Sequence, residues 1–210
     1  MKKILLSLGA ALLLAAGAQA QTSWGLKAGL NLGKYSGLSS GYSDLQKMNP
    51  SFYVTGFADL PVAPQFSIQP GVSLQGKGSK LSGSIAGFDG TNTINTMSIE
   101  IPVNAVYWIP AGSGNVFLGA GPYIGFNVSG KEKNRGETEF GSGDIETDIN
   151  FGGADDEMKV IDAGANFMAG YKLSNGFLIN AGYGLGLTSL YNTENKRSNR
   201  VLSFGVGFQF

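Results

Sequence analysis

Cysteine and histidine are both absent from the 210 residues. Without cysteine there is no disulfide framework and no thiolate metal site. Without histidine the commonest general base and the commonest metal-binding side chain are missing. Charge is scarce as well: Asp, Glu, Lys and Arg make up 14% of the chain, well below the usual quarter of a soluble domain. Acids and bases balance to a formal charge of zero. No basic run marks a nucleic-acid surface. Beyond the first twenty residues no stretch carries a helical period.

What is abundant is glycine, 33 residues, about twice the average share, set among alternating apolar residues. The last ten residues show the rule most plainly. Leu202, Phe204, Val206, Phe208 and Phe210 occupy the even positions, and Ser203, Gly205, Gly207 and Gln209 the odd ones. That is the period of a strand with one apolar face. An apolar strand ending a chain invites aggregation unless both of its edges are paired.

Residues 1–20 have the form of an export leader. Lys2 and Lys3 precede the apolar run Ile4 to Ala16, and Ala18-Gln19-Ala20 is a small-x-small cleavage site. The run is too short to span a bilayer comfortably. The expected organisation is therefore a signal peptide over 1–20 and one domain over 21–210.

The mature chain divides into about eight alternating segments, beginning near Trp24, Ser51, Gln65, Thr96, Asn115, Met158, Phe177 and Val201. The connections between them alternate long and short. Polar stretches over about 34–49, 77–95, 130–157 and 190–199 are the long ones. Pro61-Val-Ala-Pro64, Ala111-Gly-Ser-Gly114 and Ser174-Asn-Gly176 are the short ones. This rhythm matches an up-and-down transmembrane barrel with tight periplasmic turns and long external loops. The expected fold is all-β: an eight-stranded antiparallel transmembrane β-barrel in the outer membrane. Pro70 on the third strand should interrupt a ladder.

Alternation alone also suits a soluble lipocalin-like barrel with its apolar face inward. The second face decides against it. That face is crowded with glycines, among them Gly25, Gly29, Gly119, Gly164, Gly182 and Gly205. Glycine weakens a solvent-facing strand, whereas inside a narrow barrel it leaves room for neighbouring side chains. Trp24, Phe52, Phe66, Tyr107, Tyr171 and Phe210 near strand ends suit interfacial girdles.

Several segments carry a family resemblance. Trp24-Gly-Leu-Lys-Ala-Gly-Leu-Asn31, Ser98-Ile-Glu-Ile-Pro-Val-Asn104, Gly119-Ala-Gly-Pro-Tyr-Ile-Gly125 and Gly170-Tyr171 resemble the porin-family outer-membrane β-barrel proteins of Bacteroidetes-type bacteria, a group that includes PorT-like proteins. The resemblance implies a cell-envelope barrel. It also implies that Phe210, with Phe208, Val206 and Phe204, acts as the C-terminal signal read by the outer-membrane assembly machinery.

Two sets of residues are candidate sites. Lys27, Asp59, Glu100 and Asp162 fall on the inward face and form a candidate lumen charge cluster, because charges in a lumen must be paired. Glu137, Glu139, Asp144, Glu146, Asp148, Asp155, Asp156 and Glu157 make the stretch after 130 acidic. Such carboxylates could collect a hard cation or bridge one to lipopolysaccharide phosphates, but their spacing is not that of an EF-hand. The simpler reading is a solvated external loop. No catalytic residue, metal or cofactor is expected, since envelope hydrolases and acyl transferases lean on histidine. The expected function is structural, or surface interaction through the loops. The partners are outer-membrane lipid and lipopolysaccharide, the assembly machinery and an external protein or surface; nucleic acid is not among them. The alternatives are a narrow pore or secretion-accessory barrel and, further off, a lipid-modifying enzyme.

Overall fold

The computed structural model describes residues 22–38, 40–85, 88–138, 141–153, 157–192 and 196–210. The expected leader over 1–20 lies outside these residues. Apart from one short helix, α1 (Ser40–Ser43), the described chain is strand and connection. The strands are β1 (Ser23–Ser36), β2 (Gln46–Lys47), β3 (Asn49–Ala63), β4 (Phe66–Ile85), β5 (Phe88–Ala111), β6 (Gly114–Thr138), β7 (Gly141–Asp148), β8 (Ile161–Lys172), β9 (Phe177–Gly186) and β10 (Ser198–Gln209).

They form one ten-stranded antiparallel sheet that resembles a barrel. Pairing runs from β4 through β3, β1, β10, β9, β8 and β6 to β5, and β5 pairs β4 again. Both edges of β10, the strand at the chain end, are therefore taken, by β1 and by β9. The backbone of Phe210 exchanges bonds of 2.8 and 3.1 Å with Trp24, so the two termini of the sheet meet.

The strand count corrects the sequence reading. Two extra strands, β2 and β7, pair within stretches expected to be loops. Through 77–85, 88–95 and 130–138 the strands β4, β5 and β6 continue far past their apolar parts, so that β5 is 24 and β6 is 25 residues long. The 77–95 and 130–157 segments are thus largely a polar extension of the sheet. Gly, Ser, Thr and Asn occupy both faces there, with Gly78 and Ser79 buried and Thr91 to Thr93 part-exposed, so little apolar alternation betrays the strand.

Burial follows the expected parity. Leu26, Leu30, Val54, Val72, Leu74, Ile101, Val103, Leu118, Ile124, Ile179, Phe204, Val206 and Phe208 are all exposed on the outer face, and Lys27, Asn31, Tyr53, Thr55, Phe57, Ser73 and Asp162 are buried inside. Large apolar side chains turned to the outside around the ring are what hydrocarbon surroundings require. The β3–β4 register passes from Phe57↔Gly71 to Leu60↔Ile68 with no pair at Pro70, the interruption expected of a residue with no N–H to donate.

Inward glycines act as seats for large inward side chains. A Cβ on Gly25 would meet the Phe57 ring at 2.3 Å, on Gly205 the Tyr53 hydroxyl at 2.2 Å, on Gly170 the Phe117 ring at 2.4 Å and on Gly164 the Tyr123 ring at 2.7 Å. Each aromatic ring fills the space a neighbouring strand leaves empty. Gly176 in the β8–β9 turn has φ +90°, where glycine alone is free of strain.

Candidate functional site: the polar interior

Five charged side chains are buried among the described residues: Lys27, Asp59, Lys77, Glu100 and Asp162. Four were expected. Lys77 was not, because it opens a stretch that reads as loop. Its signal was the inward parity of Gln69, Ser73 and Gln75 on the same strand, continued by one more step.

The interior is layered. Toward the polar extension, Lys77 lies between two carboxylates. Its Nζ makes an ion contact with Glu100 Oε1 and donates to Asp162 Oδ2 at 2.8 Å. Asp162 Oδ2 also accepts from Asn199 Nδ2 at 2.8 Å and from the Tyr123 hydroxyl at 3.3 Å, and Oδ1 accepts from Thr188 Oγ1 at 3.2 Å. The Tyr123 ring lies 4.6 Å from the ammonium. A buried carboxylate is tolerated only when its lone pairs are answered in this way.

Below the cluster is a polar cavity of about 90 Å³, lined in part by Lys27, Tyr53, Thr55, Asn104, Asn166 and Asn180. Lys27 is not paired with a carboxylate there. Its Nζ donates to Met168 Sδ at 3.6 Å and stands 4.5 Å from the centre of the Phe57 ring. Next comes an apolar layer of Phe57, Val106, Phe117 and Leu178, packed against Trp108 and Met168.

At the end with the short turns, Asp59 Oδ1 accepts from Ser67 Oγ at 2.6 Å and Gln69 Nε2 at 2.8 Å, and Oδ2 from Gln209 Nε2 at 3.2 Å. Trp108 Nε1 donates to Ser67 Oγ at 2.9 Å, and Lys172 Nζ lies 4.4 Å from the indole ring. Trp108 thus helps to close this mouth. The opposite end is covered by a small core of Tyr35, Ile94, Met158 and Leu190.

The expected four-charge cluster is therefore split in the structure. Glu100 and Asp162 meet through Lys77, while Asp59 and Lys27 lie elsewhere, each with other partners. The structure thus corrects the grouping, though all four face inward. The reason is registry: Gly125 pairs both Glu100 and Asp162, whereas Asp59 pairs Ser23.

The acidic segment after 130 is corrected in form. Asp144, Glu146 and Asp148 lie on β7 opposite Arg135, Lys133 and Lys131 of β6. Arg135 grips Asp144 with two bonds of 2.9 and 2.8 Å, and Lys131 and Lys133 hold the two oxygens of Glu146 at 2.5 and 2.7 Å. Hydrogen bonds from the two lysines pull the Glu146 carboxyl down to about 2, and Arg135 lowers that of Asp144. These carboxylates are occupied by cross-strand cations. Glu137 lies on β6, opposite Ser142. Glu157 follows β7 and is half-buried, and Glu139, Asp155 and Asp156 lie outside the described residues. Among the described residues no group of three or more His, Cys, Asp or Glu side chains could hold a metal ion.

Residues 18–192 match the family described as outer membrane protein beta-barrel domain. No curated protein matches the chain. Among solved structures, Ail of Yersinia pestis is 12% identical with a TM-score of 0.41, over 90% of this chain and 99% of that one. Neisserial surface protein A is 18% identical with a TM-score of 0.43, again over 90% and 99%. The N-terminal β-barrel domain of Pseudomonas aeruginosa OprF is 12% identical with a TM-score of 0.32, over 90% and 100%.

Proposed function

We propose that this chain, which belongs to the outer-membrane protein β-barrel family, is an up-and-down transmembrane barrel walled by the eight strands β1, β3 to β6 and β8 to β10, with β2 and β7 added at the rim, whose interior is a plug and whose working surface is external. It is a protein of the outer membrane. The single observation that carries the reading is the layered interior. The Lys77–Glu100–Asp162 cluster and the layer of Phe57, Val106, Phe117 and Leu178 stand one behind the other along the axis. An eight-stranded barrel is just wide enough for side chains to fill, and two filled layers leave no continuous polar path.

On this reading residues 1–20 are a cleaved leader and 21–210 the mature barrel. Phe210 and its strand are the assembly signal. The polar extension of β4, β5, β6 and β7 presents the surface that meets a partner. No catalytic role falls to the buried charges. The test is conductance in planar bilayers with refolded full-length mature chain. Absence of single-channel events, together with a band that shifts on boiling in cold detergent gels, supports a folded, plugged barrel. Steady conductance that changes in Glu100→Gln overturns the plug. Replacing 131–148 by a short turn should leave the boiling shift intact and abolish surface binding.

A second reading, a narrow pore or a PorT-like secretion-accessory barrel, draws on the polar cavity beside Lys27. It requires the Phe57–Phe117 layer to part, so Phe117→Ala should raise conductance. The remaining, enzymatic reading predicts altered lipid A in mass spectra of cells overproducing the protein, and unaltered lipid A would remove it.

A further inference from the structure

Where the polar extension leaves the apolar band, the outer face treats its cations in two different ways. On β6 and β7 three cations each stand beside a cross-strand carboxylate. Elsewhere on the outer face, like charges face each other. Lys34 of β1 is registered directly against Arg200 of β10, and Lys47 of β2 against Lys80 of β4. Like charges placed opposite one another on a sheet destabilise it. Among the described residues no ion pair relieves any of the four, since the pairs present belong to Lys77, Lys131, Lys133 and Arg135.

The four belong to one sector of the rim. Gln46 Nε2 donates to Tyr35 O at 3.0 Å and to Ser79 Oγ at 2.9 Å, which ties β2 to the ends of β1 and β4 beside Lys34 and Lys80. Their height is set by their neighbours. Lys34 follows Leu26 and Leu30 on the outward face, Lys80 follows Val72 and Leu74, and Arg200 precedes Phe204 and Val206 on that face. These three are thus the first charges past the hydrocarbon-facing band on the side of the long connections, and Lys47 joins them through its register with Lys80. The Arg200 guanidinium is held in place, with Nη1 donating to Gly186 O at 2.7 Å and Asn199 O at 2.8 Å. Its Nε and Nη2 remain for a planar, two-pronged contact.

We propose that Lys34, Arg200, Lys47 and Lys80 form a site for the phosphate groups of an outer-leaflet glycolipid. This rests on the transmembrane reading above. The chemistry favours phosphate, because arginine and lysine together offer a fork and point charges to a multiply charged oxyanion. The position favours a lipid, because a head group lies at this height while its acyl chains cover Leu30, Leu74 and Phe204. The anion relieves the repulsion that the registers impose, so the site is an assembly contact as well as a binding one.

The experiment is native mass spectrometry of the full mature chain, released in mild detergent from vesicles containing bis-phosphorylated lipid A, with phosphate-free lipid A as comparison. The variants are Lys34→Gln with Arg200→Gln, Lys47→Gln with Lys80→Gln, and Lys131→Gln with Lys133→Gln as control. The expected result is retention of phosphorylated lipid by the wild type and the control, with a loss of about tenfold for each rim pair removed. Equal retention by all variants, or equal retention of both lipids, overturns the proposal. Displacement by millimolar inorganic phosphate overturns the lipid assignment in favour of a soluble phosphate site. A boiling shift recorded on every sample separates the two readings: without it the barrel itself has failed, and with it only the rim site is in question.

Discussion

Two ion clusters in this molecule use the same chemistry in opposite surroundings. In the interior, Lys77 serves Glu100 and Asp162 with side chains 4%, 3% and 0% exposed. On the external hairpin, Lys131 and Lys133 serve Glu146 with side chains 56%, 56% and 39% exposed. Each has a cation-to-carboxylate geometry that would pass as a salt bridge. Burial decides what each is for. Inside, every charge has lost its water, so the loss of one partner strands another. Outside, solvent and salt screen the pairs and replace either member at little cost.

The sharpest break in that comparison is Lys77→Met. It leaves two carboxylates buried side by side and should destabilise the barrel by about 3–5 kcal/mol, read as a shift in the denaturant midpoint of refolded protein in lipid. Adding Glu100→Gln should recover part of the loss. A single variant as stable as wild type would mean that water already reaches the cluster.

Glycines extend the contrast. Gly164→Ala places a methyl 2.2 Å from Leu185 O and 2.7 Å from the Tyr123 ring, which should cost about 1–3 kcal/mol by overpacking and loosen Tyr123 from Asp162. On the external sheet, Gly90, Gly136 and Gly143 stand in register, and a Cβ on any of them meets nothing within 4 Å. Gly136→Ala should therefore be neutral or stabilising by about 0.4–1 kcal/mol.

The smallest effects belong to the hairpin. The Glu146 carboxyl is depressed from 4.5 to about 2 in the folded hairpin. Its contribution is therefore complete above the unfolded value and fades as pH falls from about 4.5 through about 2. The protection factors of β7 amides should fall over that window while those of β8 to β10 do not change. Glu146→Gln should reduce the pH response of β7 to the part that Asp144 contributes, and leave the denaturant midpoint where it was. Movement of the midpoint would mean that the hairpin is coupled to the barrel wall.

Much of this was legible in the residues. The two-residue period separated outer from inner faces on β1 and β10, and the alternation of short and long connections gave the topology. Asp59, Glu100, Asp162 and Lys27 were placed on the inner face by parity alone. The polar strands escaped notice for a physical reason. Above the apolar band most positions of Thr91–Asn95 and Lys131–Arg135 meet water or polar neighbours, with Ile94 the apolar exception, so little selection for alternating hydropathy acts there. Lys77 escaped with them, lying at the boundary where the period fades.

The sequence by itself determined the class of the molecule, the side of each strand that faces out, and the need for inward charges to find partners. These are local properties, set by the pleat and by what hydrocarbon will accept. Only the tertiary structure decided who the partners are. Glu100 and Asp162 are 62 positions apart by residue number and become neighbours because both pair Gly125; Asp59, on the same face by parity, is carried to the other end of the interior. The registers that β4, β5, β6 and β8 adopt around the ring fix those distances, and registry is a property of paired strands that no single strand contains.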